Sequence, residues 1–320
     1  MIKGDSGTRM LMGTFGRIQL WCESEQIAQA ALDAAFKALD EIEKQMSTYR
    51  DDSELSLVNR RAAQEPVPVS SETYNLLAQA VEYSRMTEGA FDITVAPLLD
   101  LWKQAAQQGR PPSEKDLSEV REKVGYRKLI LSATQQTVSL AVEGMEINVD
   151  AIAKGYAVDR ALAAVRRPGV KSALVDIGGE IACFGGDQLR QNWIVGIQDL
   201  FYEENGNPLS QRVRWKVALH DCAIATSGNY RQYVTIGGQR YSHIIDPRTG
   251  KPAEKLPSVT VIAPRTEAAD ALATAVSVMG PEKGMALIES LAETEAFLVT
   301  GTREELLIHR SSGFEKFEIK

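Results

Sequence analysis

Residues 24–46 carry apolar side chains at Ile27, Ala31, Ala34, Ala38, Ile42 and Met46, three and four positions apart, with Glu, Gln, Asp and Lys between them. That spacing follows the 3.6-residue period and predicts a long amphipathic helix. The polar stretch Ser47–Leu55 reads as a turn segment. Ser70 or Ser71 can cap a second helix running to about Met86, and Gly89 suits its C-terminal exit. Gly109-Arg110-Pro111-Pro112 marks a loop followed by a further short helix. From about residue 128 the pattern changes to strands. Lys128–Ser132 and Thr137–Val142 read as a hairpin, and Met145–Val149 as another strand. A helix over 151–166 precedes strand Ala173–Ile177, which ends at Gly178-Gly179. Trp193–Gln198, Val213–His220 and Tyr233–Ile236 continue the β-rich stretch, and Gly237-Gly238 reads as a two-residue hairpin turn. The tail predicts strand 258–263, helices 267–279 and 282–291, and strands near 296–299 and 305–309. With neither an internal repeat nor a low-complexity linker, this is an α+β pattern with its elements intimately mixed.

A chain of 320 residues, 44% hydrophobic and 25% charged, can bury a sizeable core. Its net charge of -7 is spread along the chain, which argues against a nucleic-acid partner, since phosphate backbones need a concentrated basic surface. Cys22, Cys183 and Cys222 have no close spacing, so they read as small, partly buried hydrophobes rather than a redox pair or zinc ligands. No apolar run approaches the roughly 20 residues of a membrane span. The first 20 residues lack a signal-peptide core, so the chain reads as soluble and untargeted.

Four polar islands interrupt this framework with residues that packing does not require. Thr87–Pro97 contains Gly89-Ala90-Phe91-Asp92, where a glycine lets backbone approach a ligand closely, although a helix exit beside a buried Phe explains the same residues. Asn148–Asp159 puts Lys154 and free N–H groups at a helix N-terminus, a place that favours phosphate, while an Asp capping that helix needs no ligand. Ala225–Tyr230 and Tyr241–Gly250 lie at the two ends of the expected hairpin, which brings His243, one of three histidines, towards Ser227 and Gly228. An imidazole there can accept a proton near neutral pH, or serve structure alone. On the helix expected over 267–279, Asp270 and Thr274 are one turn apart and share a face. Their oxygens suit a hard cation such as Mg²⁺, though an Asp in a first helical turn is also favoured by the macrodipole.

Taken in order, Met12-Gly13-Thr14, Met46-Ser47-Thr48-Tyr49, Gly89-Ala90-Phe91-Asp92, Ala153-Lys154-Gly155-Tyr156, Asp176-Ile177-Gly178-Gly179, Ser242-His243-Ile244-Ile245-Asp246-Pro247 and Asp270-Ala271-Leu272-Ala273-Thr274 resemble the ApbE family of FAD:protein FMN transferases. The resemblance runs from Met12 to Gly280. It implies a T-fold-related α+β architecture of mixed or antiparallel sheets with packed helices, as one domain over 1–320 with two closely packed lobes. It implies that Met12, Tyr49, Ala90, Phe91, Asp92, Lys154, Ser227, Gly228 and Ile244 contact the flavin nucleotide. Asp270, Thr274 and the carbonyl of Ala151 would hold Mg²⁺, and His243 would be the catalytic base. One departure stands out: the family often has aspartate where this chain has Asn148, with Asp150 two residues on, so both enter the nucleotide site.

The activity implied is transfer of FMN from FAD, a substrate here rather than a redox cofactor, to a Thr or Ser hydroxyl in a D-x-x-[ST]-G-A-[ST]-like motif of an acceptor protein, with release of AMP. Such proteins are usually exported or lipid-anchored, so the compartment expected is the cytoplasm, or the periplasm or membrane surface for a mature exported form. Two other readings compete, one with the same site and one from another class. In one, water replaces the acceptor and the protein is a Mg²⁺-dependent FAD pyrophosphatase; in the other it binds FAD without catalysis.

Overall fold

Residues Thr14–Cys22 alternate in and out: Ile18, Leu20 and Cys22 are fully buried, while Arg17 is exposed and Gln19 half-buried. Periodicity leaves this N-terminal stretch unassigned, yet it forms an inner strand of the main sheet. The computed structural model describes residues 1–48, 50–187, 191–200, 212–228, 233–302 and 305–319. In chain order the elements are β1 (Ile2–Asp5), β2 (Arg9–Leu11), β3 (Thr14–Cys22), α1 (Glu25–Met46), α2 (Glu54–Arg61), β4 (Val67–Pro68), α3 (Ser71–Met86), α4 (Ala96–Gln108) and α5 (Glu114–Arg121). There follow β5 (Leu129–Ser132), β6 (Thr137–Leu140), α6 (Ala153–Val165), β7 (Val170–Ile177), β8 (Glu180–Phe184), β9 (Trp193–Gln198), β10 (Val213–Leu219), β11 (Ala223–Gly228), β12 (Tyr233–Ile236) and β13 (Gln239–Ser242). The chain ends with β14 (Ser258–Ala263), α7 (Thr266–Met279), α8 (Pro281–Glu289), β15 (Glu295–Gly301) and β16 (Leu306–Arg310).

The main sheet runs β1-β3-β7-β8-β11-β14-β15-β16, with β2 paired to β3 beyond the end of β1, and its pairings are antiparallel. Alternate residues feed two cores. Ala173, Val175 and Ile177 of β7 pack with α1 and α6, whereas Leu174 turns to the opposite face with Ile181, Ile224, Ile262 and Phe297. Helices therefore cover one face, and the β9–β10 hairpin with Phe314 covers the other. Strands β8 and β14 are buried along their whole lengths. Being apolar on both faces they lack alternation, which is why β8 is not legible as a strand after the Gly178-Gly179 turn.

Several expectations are corrected. Met145, Ile147 and Val149 are buried, but the stretch Met145–Val149 joins no ladder. The Asn59 side chain takes the place of a neighbouring strand, donating to the Ile147 carbonyl at 2.9 Å and accepting from its N–H at 2.8 Å. The polar segment Ser47–Leu55 runs into α2, whose cap is Ser53. Helix α4, which the spacing leaves unassigned, begins with Pro97 in its first turn, where the missing N–H costs nothing. The Ala225–Gly228 island is the end of β11. The short helix expected after Pro112 is α5, closed by a Ser113–Asp116 capping box. Among the described residues no helix is long and apolar enough to cross a membrane.

Candidate active site

The site begins where α6 crosses α7. A Cβ on Gly155 would lie 2.6 Å from the Thr266 carbonyl oxygen and 2.8 Å from the Glu267 Cα, so only glycine allows the two helices this contact. Asp159, one turn on, caps α7 from outside its own chain segment: it accepts from the Thr266 N–H at 2.8 Å, the Thr266 hydroxyl at 2.7 Å and the Glu267 N–H at 3.0 Å. These contacts fix the register in which Asp270 meets α6. Its Oδ2 accepts from the Gly155 N–H at 3.1 Å.

Gly155 is the third residue of α6, whose N-cap is Ile152, so its N–H is one of the four at a helix start that have no partner within the helix. Asp270 meets this open N–H, and among the described residues no backbone N–H donates to the carbonyl of Ala151, two residues before the helix. Asp270 is only 4% exposed, and burial pushes its carboxyl up to about 7, with nearby Lys154 opposing and Glu180 reinforcing the rise. Lys154 extends from the first turn of α6 and pairs with Glu180, the first residue of β8. Burial works against its charge, but Asp270 and Glu180 hold its pKa well above the ordinary lysine value.

Thr274 follows Asp270 on the same face of α7, and its hydroxyl lies 3.1 Å from the Ser227 hydroxyl near the end of β11. Val278, one turn further, packs with Ile244 and Ala90 in a small buried cluster. This contact sets the His243–Ile244 segment against α7 one turn beyond Thr274. His243 directly follows β13 and is half-buried, and the Ile244 N–H donates to the Ser242 hydroxyl at 3.0 Å. The β12–β13 hairpin turns at Gly237-Gly238 as expected, pairing Ile236 with Gln239. A cavity of about 340 Å³ opens alongside, bounded by Trp102, Pro111, Tyr241 and Lys251.

The other expected residues fall into three groups. Met12 and Gly13, with φ of 49° and 73°, form the two-residue turn between β2 and β3, and Met12 is half-buried against the main core. Asn148 and Asp150 bond each other: the Asn148 amide donates to Asp150 Oδ2 at 3.0 Å, and the Asp150 N–H donates to Asn148 Oδ1 at 2.9 Å. Ala90, Phe91 and Asp92 face inward, at 1%, 2% and 7% exposure. The Asp92 carboxylate accepts from the Thr94 N–H and hydroxyl at 2.8 and 2.7 Å and from the Tyr126 N–H at 2.7 Å. Burial raises its pKa against those bonds. Tyr49, and Asn229 and Tyr230 of the third island, lie outside the described residues. Sequence reasoning missed Glu180 and the capping role of Asp159, although both stand inside or beside quoted motifs; a charged residue directly after Gly178-Gly179 was the available signal.

The donor set suits a hard cation. It offers one buried carboxylate with Oδ1 bonded to no described residue, one hydroxyl and the Ala151 carbonyl, all oxygen. Among the described residues, no three His, Cys, Asp or Glu side chains cluster as a metal-binding group, so any metal here needs oxygens from a ligand as well.

Comparison with known proteins gives consistent matches. The family model described as "ApbE family" matches residues 12–298. A protein from Vibrio cholerae named FAD:protein FMN transferase is 35% identical over 285 residues, covering 88% of this chain and 82% of that protein. One of the same name from Treponema pallidum is 34% identical over 309 residues, covering 92% and 84%. Among solved structures, the flavin transferase ApbE of Vibrio cholerae superposes with a TM-score of 0.82 at 32% identity over 99% of both chains. The ApbE protein of Thermotoga maritima superposes with a TM-score of 0.85 at 30% identity over 98% of both.

Proposed function

The chain belongs to the ApbE family, and on that premise we propose that it is a FAD:protein FMN transferase that requires Mg²⁺. The observation that carries this reading is the bond from the Gly155 N–H to Asp270, which sets a buried carboxylate against the first turn of α6, where Lys154 stands. Asp270, Thr274 and the Ala151 carbonyl would hold the cation. When bound, the cation neutralises the diphosphate of FAD and stabilises charge on the departing phosphate. Lys154 presents its ammonium to the same phosphates from the start of α6. Met12, Tyr49, the linked Asn148 and Asp150, Ser227, Gly228 and Ile244 border the nucleotide, with Ala90, Phe91 and Asp92 as a packed backing.

His243 takes the proton of a Thr or Ser hydroxyl on the acceptor protein as that oxygen attacks the FMN phosphorus. A phosphoester bond forms, the bond to the bridging oxygen breaks, and AMP leaves; the isoalloxazine is unchanged. A positioned base contributes roughly 10²–10⁴-fold to such a step. The test is intact-mass analysis of an acceptor domain carrying a D-x-x-[ST]-G-A-[ST]-like motif after incubation with the protein, FAD and Mg²⁺. The expected result is a gain of one FMN less water, with stoichiometric AMP. Free FMN and AMP without a mass gain would make the protein a pyrophosphatase, and retained FAD without AMP would make it a binding protein.

A further inference from the structure

Lys154 lies between two carboxylates and is committed to only one. Its ammonium is in ion-pair contact with Glu180, whereas no ion pair joins it to Asp270. Glu180 is 6% exposed and opens β8 directly after the Gly178-Gly179 turn, whose residues have φ of 71° and 102°. Its Oε1 holds the lysine, and its buried Oε2 has no hydrogen-bond partner. Packing alone would not select such a residue, because a buried carboxylate oxygen without a donor is costly and an apolar side chain would fill the space without that cost.

We propose that Glu180 is a positioning residue that draws Lys154 away from Asp270, leaving the Asp270 carboxylate open to a divalent cation. The proposal rests on the reading that Asp270 holds that cation. An ammonium and a hard cation compete for the same oxygen. With Glu180 neutralised, Asp270 becomes the main carboxylate facing Lys154, and the lysine side chain is flexible enough to turn to it. A cation would then have to displace the ammonium before binding. Glu180 thus acts on cation binding through Lys154 and touches neither the cation nor FAD.

A double-variant cycle tests this without measuring turnover. Flavin fluorescence would follow FAD binding during Mg²⁺ titration of the full chain and of E180Q, K154M and the E180Q/K154M double variant. E180Q is expected to raise the half-saturating Mg²⁺ concentration about tenfold when Lys154 is present, and to shift it less than about threefold when residue 154 is methionine. Equal shifts in both backgrounds, or no shift with Lys154 present, would overturn the proposal. E180D keeps the charge on a shorter arm and serves if E180Q does not fold: a smaller shift that again vanishes with K154M supports the proposal, and one that persists refutes it. If the unaltered protein binds FAD independently of Mg²⁺, the reading of Asp270 fails. If Mg²⁺ dependence is intact but the cycle finds no coupling, the role of Glu180 alone is lost.

Discussion

Replacing Asp270 by asparagine separates the electrostatic cost of the site from its use. The side chain keeps its shape, and the amide oxygen can still accept from the Gly155 N–H. What changes is the charge. The carboxyl rises from an ordinary value near 3.8 to about 7 because it is buried. Between those two values the folded protein binds a proton that the unfolded chain has released, so stability falls as pH rises through that window and stays low above it. Three pH units correspond to roughly 4 kcal/mol, an upper estimate for a buried group. For a protein of 320 residues this is about 6 °C in Tm at ordinary unfolding entropies. Asp92, Asp159, Asp176 and Glu267 are raised by burial too and add slopes of the same sign, so only the difference between the two proteins isolates Asp270. The assay is urea or thermal unfolding of metal-free protein at pH 5 and pH 8, for wild type and Asp270→Asn. Wild type should lose more stability across that interval than the variant does. Adding FAD and Mg²⁺ at pH 8 should recover about 2–3 kcal/mol in wild type at a hundredfold excess over Kd, and far less in the variant. Equal pH slopes in the two proteins, or full Mg²⁺-supported FMN transfer by Asp270→Asn, would refute the reasoning.

His243→Ala should still bind FAD by fluorescence while FMN transfer to the acceptor drops roughly 10²–10⁴-fold; if binding drops in parallel, the imidazole is structural. Gly155→Ala puts a methyl 2.6 Å from the Thr266 carbonyl, so α6 and α7 must separate. Urea unfolding should register a loss of about 1–3 kcal/mol, together with weaker Mg²⁺-dependent FAD binding. Asp159→Ala leaves three donors at the buried start of α7 unmet and should cost about 2 kcal/mol or more, whereas a change under half that would mean water replaces the cap. Thr274→Val keeps the packing of α7 but removes the hydroxyl beside Ser227, so unfolding should shift by less than about 1 kcal/mol while the Mg²⁺ concentration needed for FAD binding rises.

Local physics decided what one stretch of chain can decide alone. Helices α1 and α3 follow from apolar spacing and local serine caps, and the β12–β13 turn from two adjacent glycines, because backbone sterics and 3.6- or 2-residue periods act over a few residues. The resemblance likewise stood on short motifs readable in order. Elements fed by distant partners stayed hidden: β8 is apolar on both faces, α4 starts through a proline, and Met145–Val149 borrows a side chain from Asn59 in place of a strand. The site divides in the same way. The one-turn spacing of Asp270 and Thr274 is local, but the raised pKa of Asp270 and its bond from the Gly155 N–H depend on α6 crossing α7 at a glycine, and the capture of Lys154 by Glu180 depends on α6 packing against β8. Burial and electrostatic coupling depend on what surrounds a group in space, and residues 115 positions apart meet there only once the chain has folded.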